Sequence, residues 1–147
     1  SHSLHSLDLS SVGLGDVLCV RLCRTLLAGQ VYVQGLVLAS NRVGCPGAQA
    51  VGQYGIYNTR LQTLCLRYNV IRDMGCSSLA KCLEQHPAIT SLDLGGNEVH
   101  ADGVCAIADA LVINTSLTEL ALYGNPIGRQ GLGFLKMGLE RQGKLTK

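Results

Sequence analysis

The apolar positions of this chain recur every 28 residues over most of its length. Within one such unit Leu64 and Leu66 alternate with other residues, which is the pattern of a half-buried strand. Leu79 and Leu83 follow four residues apart, which is the spacing of an amphipathic helix. Because one short unit cannot bury its apolar face alone, this repeat predicts a solenoid of stacked strand–turn–helix units.

The repeat predicts a single domain over residues 1–147 with about five units and part of a sixth. The units begin near Leu4, Val33, Leu61, Ile89 and Leu117, and the partial unit begins at Leu145. Solenoid ends need polar caps, and neither end of this sequence shows one. We therefore expect an excerpt of a longer protein, or self-association through the uncapped ends.

One asparagine follows the strand in each of four consecutive units. The tight turn at this point leaves backbone groups away from water, and an asparagine amide can both donate and accept hydrogen bonds. The pattern predicts a ladder of buried amides that bond the turns above and below, and in the first unit Val12 takes the place of the asparagine. A glycine six residues later, as at Gly75, is expected to relieve crowding where the chain enters the helix. The ladder consists of Asn41, Asn69, Asn97 and Asn125.

The helical half of the second unit is poor in helix-forming residues. Gly55 stands where the third unit has Leu83, and glycine weakens a helix by about 1 kcal/mol relative to alanine. We therefore expect the helix within residues 47–58 to be the shortest and most mobile. Tyr54 and Tyr57 are expected to fill the missing volume.

Charge and cysteine content favour a cytoplasmic protein without nucleic-acid or membrane binding. Twelve basic and 10 acidic residues give a net charge of +2, with no block of either sign and no apolar run long enough to span a bilayer. The seven cysteines are an odd number without a C-x-x-C pair, so we expect reduced, mostly buried thiols. Asn114-Thr115-Ser116 matches a glycosylation acceptor, although its place in a turn favours a structural role for Asn114.

Candidate catalytic chemistry is sparse. His86 beside Pro87 and His100 near Asp102 are interpreted as exposed turn residues. The sequence has neither the spacing of a zinc site nor a phosphate-binding loop. These observations predict a protein that is not an enzyme and uses no cofactor.

The repeated sequence L-x-x-L-x-L-x-x-N-x-[IV]-x-x-x-G, followed by a helix of the form L-A-x-x-L, resembles the leucine-rich repeats of the ribonuclease-inhibitor type. The units from Ile89 and Leu117 look like the variety found in NOD-like receptors. The resemblance implies an α/β horseshoe with a parallel sheet on its concave face and helices on its convex face. Ribonuclease inhibitors replace the asparagine by cysteine in alternate units, and this chain does not, which weighs against inhibition of ribonucleases.

The residues between the strand anchors are predicted to point out of the concave face. Tyrosine and arginine are frequent anchors of protein interfaces, and carboxylates lie beside them here. The alternative is an ordinary solvated sheet with an ion pair between Arg67 and Asp93. The most partner-like set is Arg67, Tyr68, Asp93, Glu119 and Tyr123.

These features predict a non-enzymatic scaffold or interaction module that binds a partner protein through its concave face. One alternative is a ligand-sensing or autoinhibitory repeat segment of a NOD-like receptor. A second alternative is a GTPase-activating protein similar to the activator of Ran. Arg67, the sole concave arginine, is the residue on which that alternative depends.

Overall fold

The computed structural model describes residues 4–142, in which strands and helices alternate along the chain. The strands are β1 (Ser6–Asp8), β2 (Gly35–Val37), β3 (Thr63–Cys65), β4 (Ser91–Asp93) and β5 (Glu119–Ala121). The helices are α1 (Gly15–Ala28), α2 (Cys45–Tyr57), α3 (Arg72–Gln85), α4 (Ala101–Ile113) and α5 (Gly128–Gln142). The partial unit predicted from Leu145 lies outside the described residues.

The five strands form one parallel sheet in sequence order. Its register is constant, so that Leu36 pairs with Leu64 and Leu64 pairs with Leu92. Each helix packs against the helix of the next unit. Neighbouring strands lie about 4.8 Å apart whereas packed helices need 8–10 Å, so the stack curves with the sheet on its concave face. The predicted α/β leucine-rich repeat solenoid is confirmed.

The core lies between the sheet and the helices and is almost entirely aliphatic. Leu38, Leu66 and Ile107 are fully buried because a neighbouring unit covers each of them on both sides. Leu7 in the first unit and Leu120 in the last are only partly buried, since each has a neighbouring unit on one side among the described residues. Packing between units, and not within one unit, therefore builds this core.

The predicted asparagine positions form a hydrogen-bonded edge where the strands end. The side-chain oxygen of Asn69 accepts from the backbone nitrogens of Asn41 and Val43, each at 2.9 Å. Its amide nitrogen donates to the carbonyl oxygens of Leu38 at 2.9 Å and Leu66 at 2.8 Å. The side chain thus bonds its own unit and the preceding unit, rather than the units on both sides.

A second series of buried polar side chains lies at the other edge, where each helix returns to the next strand. Asn58 donates to Val33 O at 2.8 Å, and Asn114 donates to Leu83 O at 2.7 Å. His86 occupies the equivalent place between them and is 5% exposed. We call Asn58, His86 and Asn114 the return-loop series.

His86 was therefore wrongly interpreted as an exposed turn residue. Its Nε2 lies 2.9 Å from Asn58 O, and its Nδ1 accepts from the backbone nitrogens of Ala88 and Ile89, each at 3.1 Å. These three contacts give both ring nitrogens a partner, and they require the neutral tautomer with the proton on Nε2. Burial is the main cause that lowers the pKa of His86. His100 is exposed at the start of α4, as predicted.

Asn114 is a structural residue in this fold and is 2% exposed. Its side-chain oxygen accepts from the backbone nitrogens of Ser116 at 2.9 Å and Leu117 at 2.8 Å, so both ends of the amide are used. A glycan on this nitrogen would break the contact with Leu83 and has no space in the folded chain. The turn role favoured from the sequence is confirmed.

The glycines at the start of the helices occupy crowded positions, as predicted. A Cβ added to Gly75 would lie 2.5 Å from Ile71 Cγ2, and one added to Gly103 would lie 2.6 Å from Asp73 Oδ1. Asp73 also accepts from the backbone nitrogens of His100 at 2.8 Å and Gly103 at 3.0 Å. A carboxylate from one unit thus caps the helix of the next unit.

Helix α2 differs in part from its prediction. It has 13 residues, the same length as α4, so it is not the single shortest helix. Tyr54 is fully buried and donates to Val31 O at 2.8 Å, which confirms that it fills the core. Tyr57 is 60% exposed at the end of the helix, so its predicted packing role is wrong. The mobility of α2 stays a prediction.

The seven cysteines are free thiols, and four of them are buried in the helical layer. Burial raises the pKa of Cys76 to about 12 and that of Cys82 to about 11. These thiols behave as small apolar core residues. Cys105 lies on α4 and is partly exposed.

Candidate protein-binding site on the concave face

The short strands alternate core residues with residues that face the concave surface. Leu64 and Leu66 point into the core, so Cys65 and Arg67 point to the other side of the sheet. The constant register then places Asp93 beside Cys65 on β4. The concave face is therefore a grid whose columns are the strands.

A polar cluster lies where β3, β4 and β5 end. A guanidinium nitrogen of Arg67 lies 3.8 Å from Asp93 Oδ2, and Tyr123 places its hydroxyl 3.5 Å from the same carboxylate. The Cys65 thiol is 3.9 Å from it. Burial raises the pKa of Cys65, so this thiol is a protonated donor near neutral pH. The ion pair predicted from the sequence is present, although the pair is long and partly solvated.

Two exposed tyrosines stand above this cluster. The rings of Tyr68 and Tyr123 meet edge to face, with centroids 6.3 Å apart. They are 57% and 47% exposed, respectively. Edge-to-face pairing fixes the ring directions, so the two side chains lose little further freedom when a partner binds.

The tyrosines rest on two glycines of the fourth unit. A Cβ added to Gly95 would lie 2.2 Å from the Tyr123 ring, and one added to Gly96 would lie 2.7 Å from the Tyr68 ring. Gly96 also has φ +64°, which favours glycine. Sequence reasoning missed this role, because Gly95 and Gly96 directly precede Asn97 and match an ordinary turn. The signal is that larger residues take the place of Gly95 in the flanking units, Arg67 in one and Tyr123 in the other.

Glu119 lies lower on the same face, at the start of β5. Its register partner is Ser91, and it is exposed. With Asp93 it lines a shallow groove of about 430 Å³ between β4 and β5. Within residues 4–142 no cation forms an ion pair with Glu119.

The structure thus brings Arg67, Tyr68, Asp93 and Tyr123 together and places Glu119 beside the adjoining groove. The first two strands contribute few protruding side chains to the concave face. Val37 is partly buried and Ala39 is buried, while Asp8 holds its own turn by accepting from Ser10. These hydrogen bonds are the main cause that lowers the pKa of Asp8. We call the five predicted residues the concave site, and their role in binding stays a prediction.

The described part of the chain also lacks a metal cluster and a membrane-spanning helix. Among residues 4–142, no group of three histidine, cysteine or acidic side chains is placed to hold a metal ion. Over the same residues, no helix has both the length and the apolar character needed to cross a bilayer.

Comparison with known sequences identifies the repeat. The family described as "Leucine Rich repeat" matches residues 57–80, 85–108 and 114–135. The human protein "NACHT, LRR and PYD domains-containing protein 7" is 31% identical over 99 residues, which cover 67% of this chain and 10% of that protein. The pig "Ribonuclease inhibitor" is 34% identical over 105 residues, which cover 69% of this chain and 22% of the inhibitor. The chain therefore spans a quarter or less of these relatives.

Solved structures share the architecture. The structure described as "Leiomodin-1 Actin-Binding Site 2" has a TM-score of 0.70 at 21% identity and covers 96% of this chain, with 84% of its own length matched. The C-terminal domain of Caenorhabditis elegans tropomodulin has a TM-score of 0.76 at 13% identity, covering 96% of this chain and 85% of that domain. At these identities the likeness is one of fold alone.

Proposed function

We propose that this chain, which belongs to the leucine-rich repeat proteins of the ribonuclease-inhibitor-like type, binds a partner protein through its concave face. The observation that carries the proposal is the exposed pair of Tyr68 and Tyr123, set on Gly95 and Gly96 beside the partly solvated ion pair of Arg67 and Asp93. In this proposal the protein acts by binding and not by catalysis.

The aromatic pair favours binding over an ordinary solvated sheet face. A solvated face needs only small or charged residues, and β1 and β2 show that the fold tolerates them. Tyr68 and Tyr123 instead expose about half of their surface. Such large, pre-ordered amphipathic rings contribute most when a partner covers them.

The size of the sheet limits what this segment binds alone. The five described strands are separated by four gaps of about 4.8 Å, so the concave face of the sheet is only about 20 Å long. Stable interfaces bury about 800 Å² on each partner. We therefore propose that the concave site is the centre of an interface that includes the loops at the strand ends or neighbouring repeats.

A repeat segment of a NOD-like receptor is the second candidate. The similarity to a human NACHT-containing protein favours it, and the sensing or autoinhibitory role then belongs to the longer protein. The free thiols fit a cytoplasmic location, which we also propose. The sequence of the gene around this segment decides whether a nucleotide-binding domain precedes it.

Self-association is a further candidate at the outer edge of β5. Leu135 and Leu139 line a groove of about 480 Å³ together with Leu120, and all three are partly exposed. A β1 strand of a second copy, with Leu7 in the constant register, would extend the sheet there. Sedimentation equilibrium checks this candidate: a molar mass that stays at the monomer value as concentration rises removes it.

The concave proposal is tested by affinity capture with matched tyrosine variants. Wild type, Tyr123→Ala and Tyr57→Ala are compared as baits, since Tyr57 is an exposed tyrosine at the end of α2, away from the concave face. We expect Tyr123→Ala to lose proteins that wild type and Tyr57→Ala both retain. Identical recovery with all three baits would remove the concave site from the proposal.

A further inference from the structure

Building on the proposed function, we infer that the partner presents a basic segment, with an arginine side chain lying in the groove between Asp93 and Glu119 and against Tyr123. The inference names the chemistry of the partner and not its identity. It rests on the charge of the face, on the groove that Asp93 and Glu119 line, and on the aromatic pair whose Tyr123 hydroxyl lies 3.5 Å from Asp93.

The concave face has the opposite charge to the rest of the chain. Its grid contains one arginine and three carboxylates, at Asp8, Asp93 and Glu119, which gives 1 − 3 = −2. The whole sequence has a net charge of +2, so its other residues contribute +4. A face of this sign attracts a basic partner and repels an acidic one.

The charges are not equally available to a partner. Asp8 already accepts hydrogen bonds from Ser10, and Asp93 accepts one from Gly95 N and pairs with Arg67. Among residues 4–142 no cation pairs with Glu119, which lies on the groove that Asp93 also lines. A cation in that groove would contact Glu119 directly and would compete with Arg67 for Asp93.

The aromatic pair adds a preference for arginine over lysine. A guanidinium is planar, stacks on tyrosine and bonds a carboxylate through two nitrogens at once. Tyr123 leans over Gly95, and its hydroxyl lies 3.5 Å from Asp93, which lines the groove. An ammonium group would use the charge of this site but less of its shape.

The probe is a fluorescein-labelled peptide of arginine spaced by glycine and serine, measured by fluorescence anisotropy. Two peptides of the same length serve as comparisons, one with lysine and one with glutamate in place of arginine. The protein variants are Glu119→Gln, Tyr123→Leu and Asp109→Asn. Asp109 is an exposed carboxylate on α4, so its variant removes an equal charge from another face.

We expect the arginine peptide to bind more tightly than the lysine peptide and the glutamate peptide not to bind. Glu119→Gln and Tyr123→Leu should each weaken arginine-peptide binding about fivefold, and Asp109→Asn should leave it unchanged. Binding should also weaken as NaCl rises from about 0.05 to about 0.3 M.

Three results overturn the inference: no binding of the arginine peptide, equal losses for Glu119→Gln and Asp109→Asn, or preference for the glutamate peptide. The capture experiment separates this failure from failure of the proposed function. If captured proteins depend on Tyr123 while any of these three results holds, the concave site stands and only the basic chemistry of its partner is wrong.

Discussion

The edges of the sheet and its concave face use polar residues in opposite ways. At the edges, Asn69 and His86 are buried and every polar atom of their side chains has a backbone partner. On the face, Arg67 and Glu119 are exposed. Arg67 has one long ion pair, with Asp93, and Glu119 has none among residues 4–142. The difference separates residues that hold the units together from residues that remain available to a partner.

This contrast gives each region its own expected phenotype. Loss of a buried, fully bonded amide leaves several backbone groups without partners and lowers stability. Loss of an exposed side chain changes stability little, because water replaces its contacts. Substitutions at the edges should therefore unfold the chain, whereas substitutions on the face should change binding at nearly constant stability.

The largest expected effect is that of Asn69→Ala. The substitution leaves the backbone nitrogens of Asn41 and Val43 without an acceptor, and it removes the donor to two carbonyl oxygens. We expect a loss of about 3 kcal/mol in the free energy of unfolding, measured by urea denaturation. Gln62→Ala on the exposed face is the control. A loss below that of the control would show that the ladder does not hold the units.

The next effect concerns pH at the return-loop series. The pKa of His86 is below its ordinary value of 6.5, chiefly because the ring is buried, so the unfolded chain takes up the proton more readily. Stability should therefore fall as pH drops from about 6.5 through the lower folded-state pKa. Lys81 and Cys82 line the cleft beside the ring.

His86→Asn is the matched variant, since Asn58 and Asn114 perform this role in the neighbouring units. The variant should keep the turn and reduce the loss of stability between pH 7 and pH 5, which urea denaturation at each pH measures. Wild type and variant losing equal stability over this range would assign the acid sensitivity to another group.

Gly95→Ala should separate binding from stability. The new Cβ would meet the Tyr123 ring, which is exposed and can turn away, so unfolding should change by less than about 1 kcal/mol. Capture of partners should nevertheless fall as in Tyr123→Ala. Gly133→Ala is the control because nothing lies within 4 Å of its added Cβ. If Gly95→Ala captures the same partners as wild type, the space that Gly95 leaves for the Tyr123 ring is not needed for binding.

The smallest effect is expected for the ion pair itself. A double-mutant cycle of Arg67→Ala and Asp93→Asn should give a coupling energy of about 0.2–1 kcal/mol, because both groups are partly solvated. The coupling should shrink in high salt. A coupling as large as the effect of Asn69→Ala would place the pair among the residues that hold the fold.

The regular part of the molecule could be predicted from the sequence. Leu64, Leu66, Asn69 and Gly75 each recur at a fixed offset, so strand, turn and helix followed from the repeat. The return-loop series has the same spacing but changes residue type from asparagine to histidine. Its members play one role because each kind of side chain donates to a backbone carbonyl oxygen and accepts from backbone nitrogen.

The concave site was predictable only as a set of residues on one face. Alternation within the strands assigned Arg67 and Tyr123 to that face. It could not show that Tyr123 leans over the fourth unit to reach Asp93 on β4, because this depends on the space left by Gly95. A residue type that recurs reveals a structural role, whereas a missing side chain in one unit reveals nothing until its neighbours are placed.

The most direct test of concave-face binding is photo-crosslinking from a single position. A benzophenone amino acid replaces Thr63, an exposed concave-face residue of β3 outside the concave site, in one variant and Tyr57 in another. Each variant is irradiated in extracts of cells that express the protein. Binding through the concave face predicts a discrete crosslinked partner from position 63 and none from position 57. The same crosslinks from both positions, or none from position 63, would contradict it.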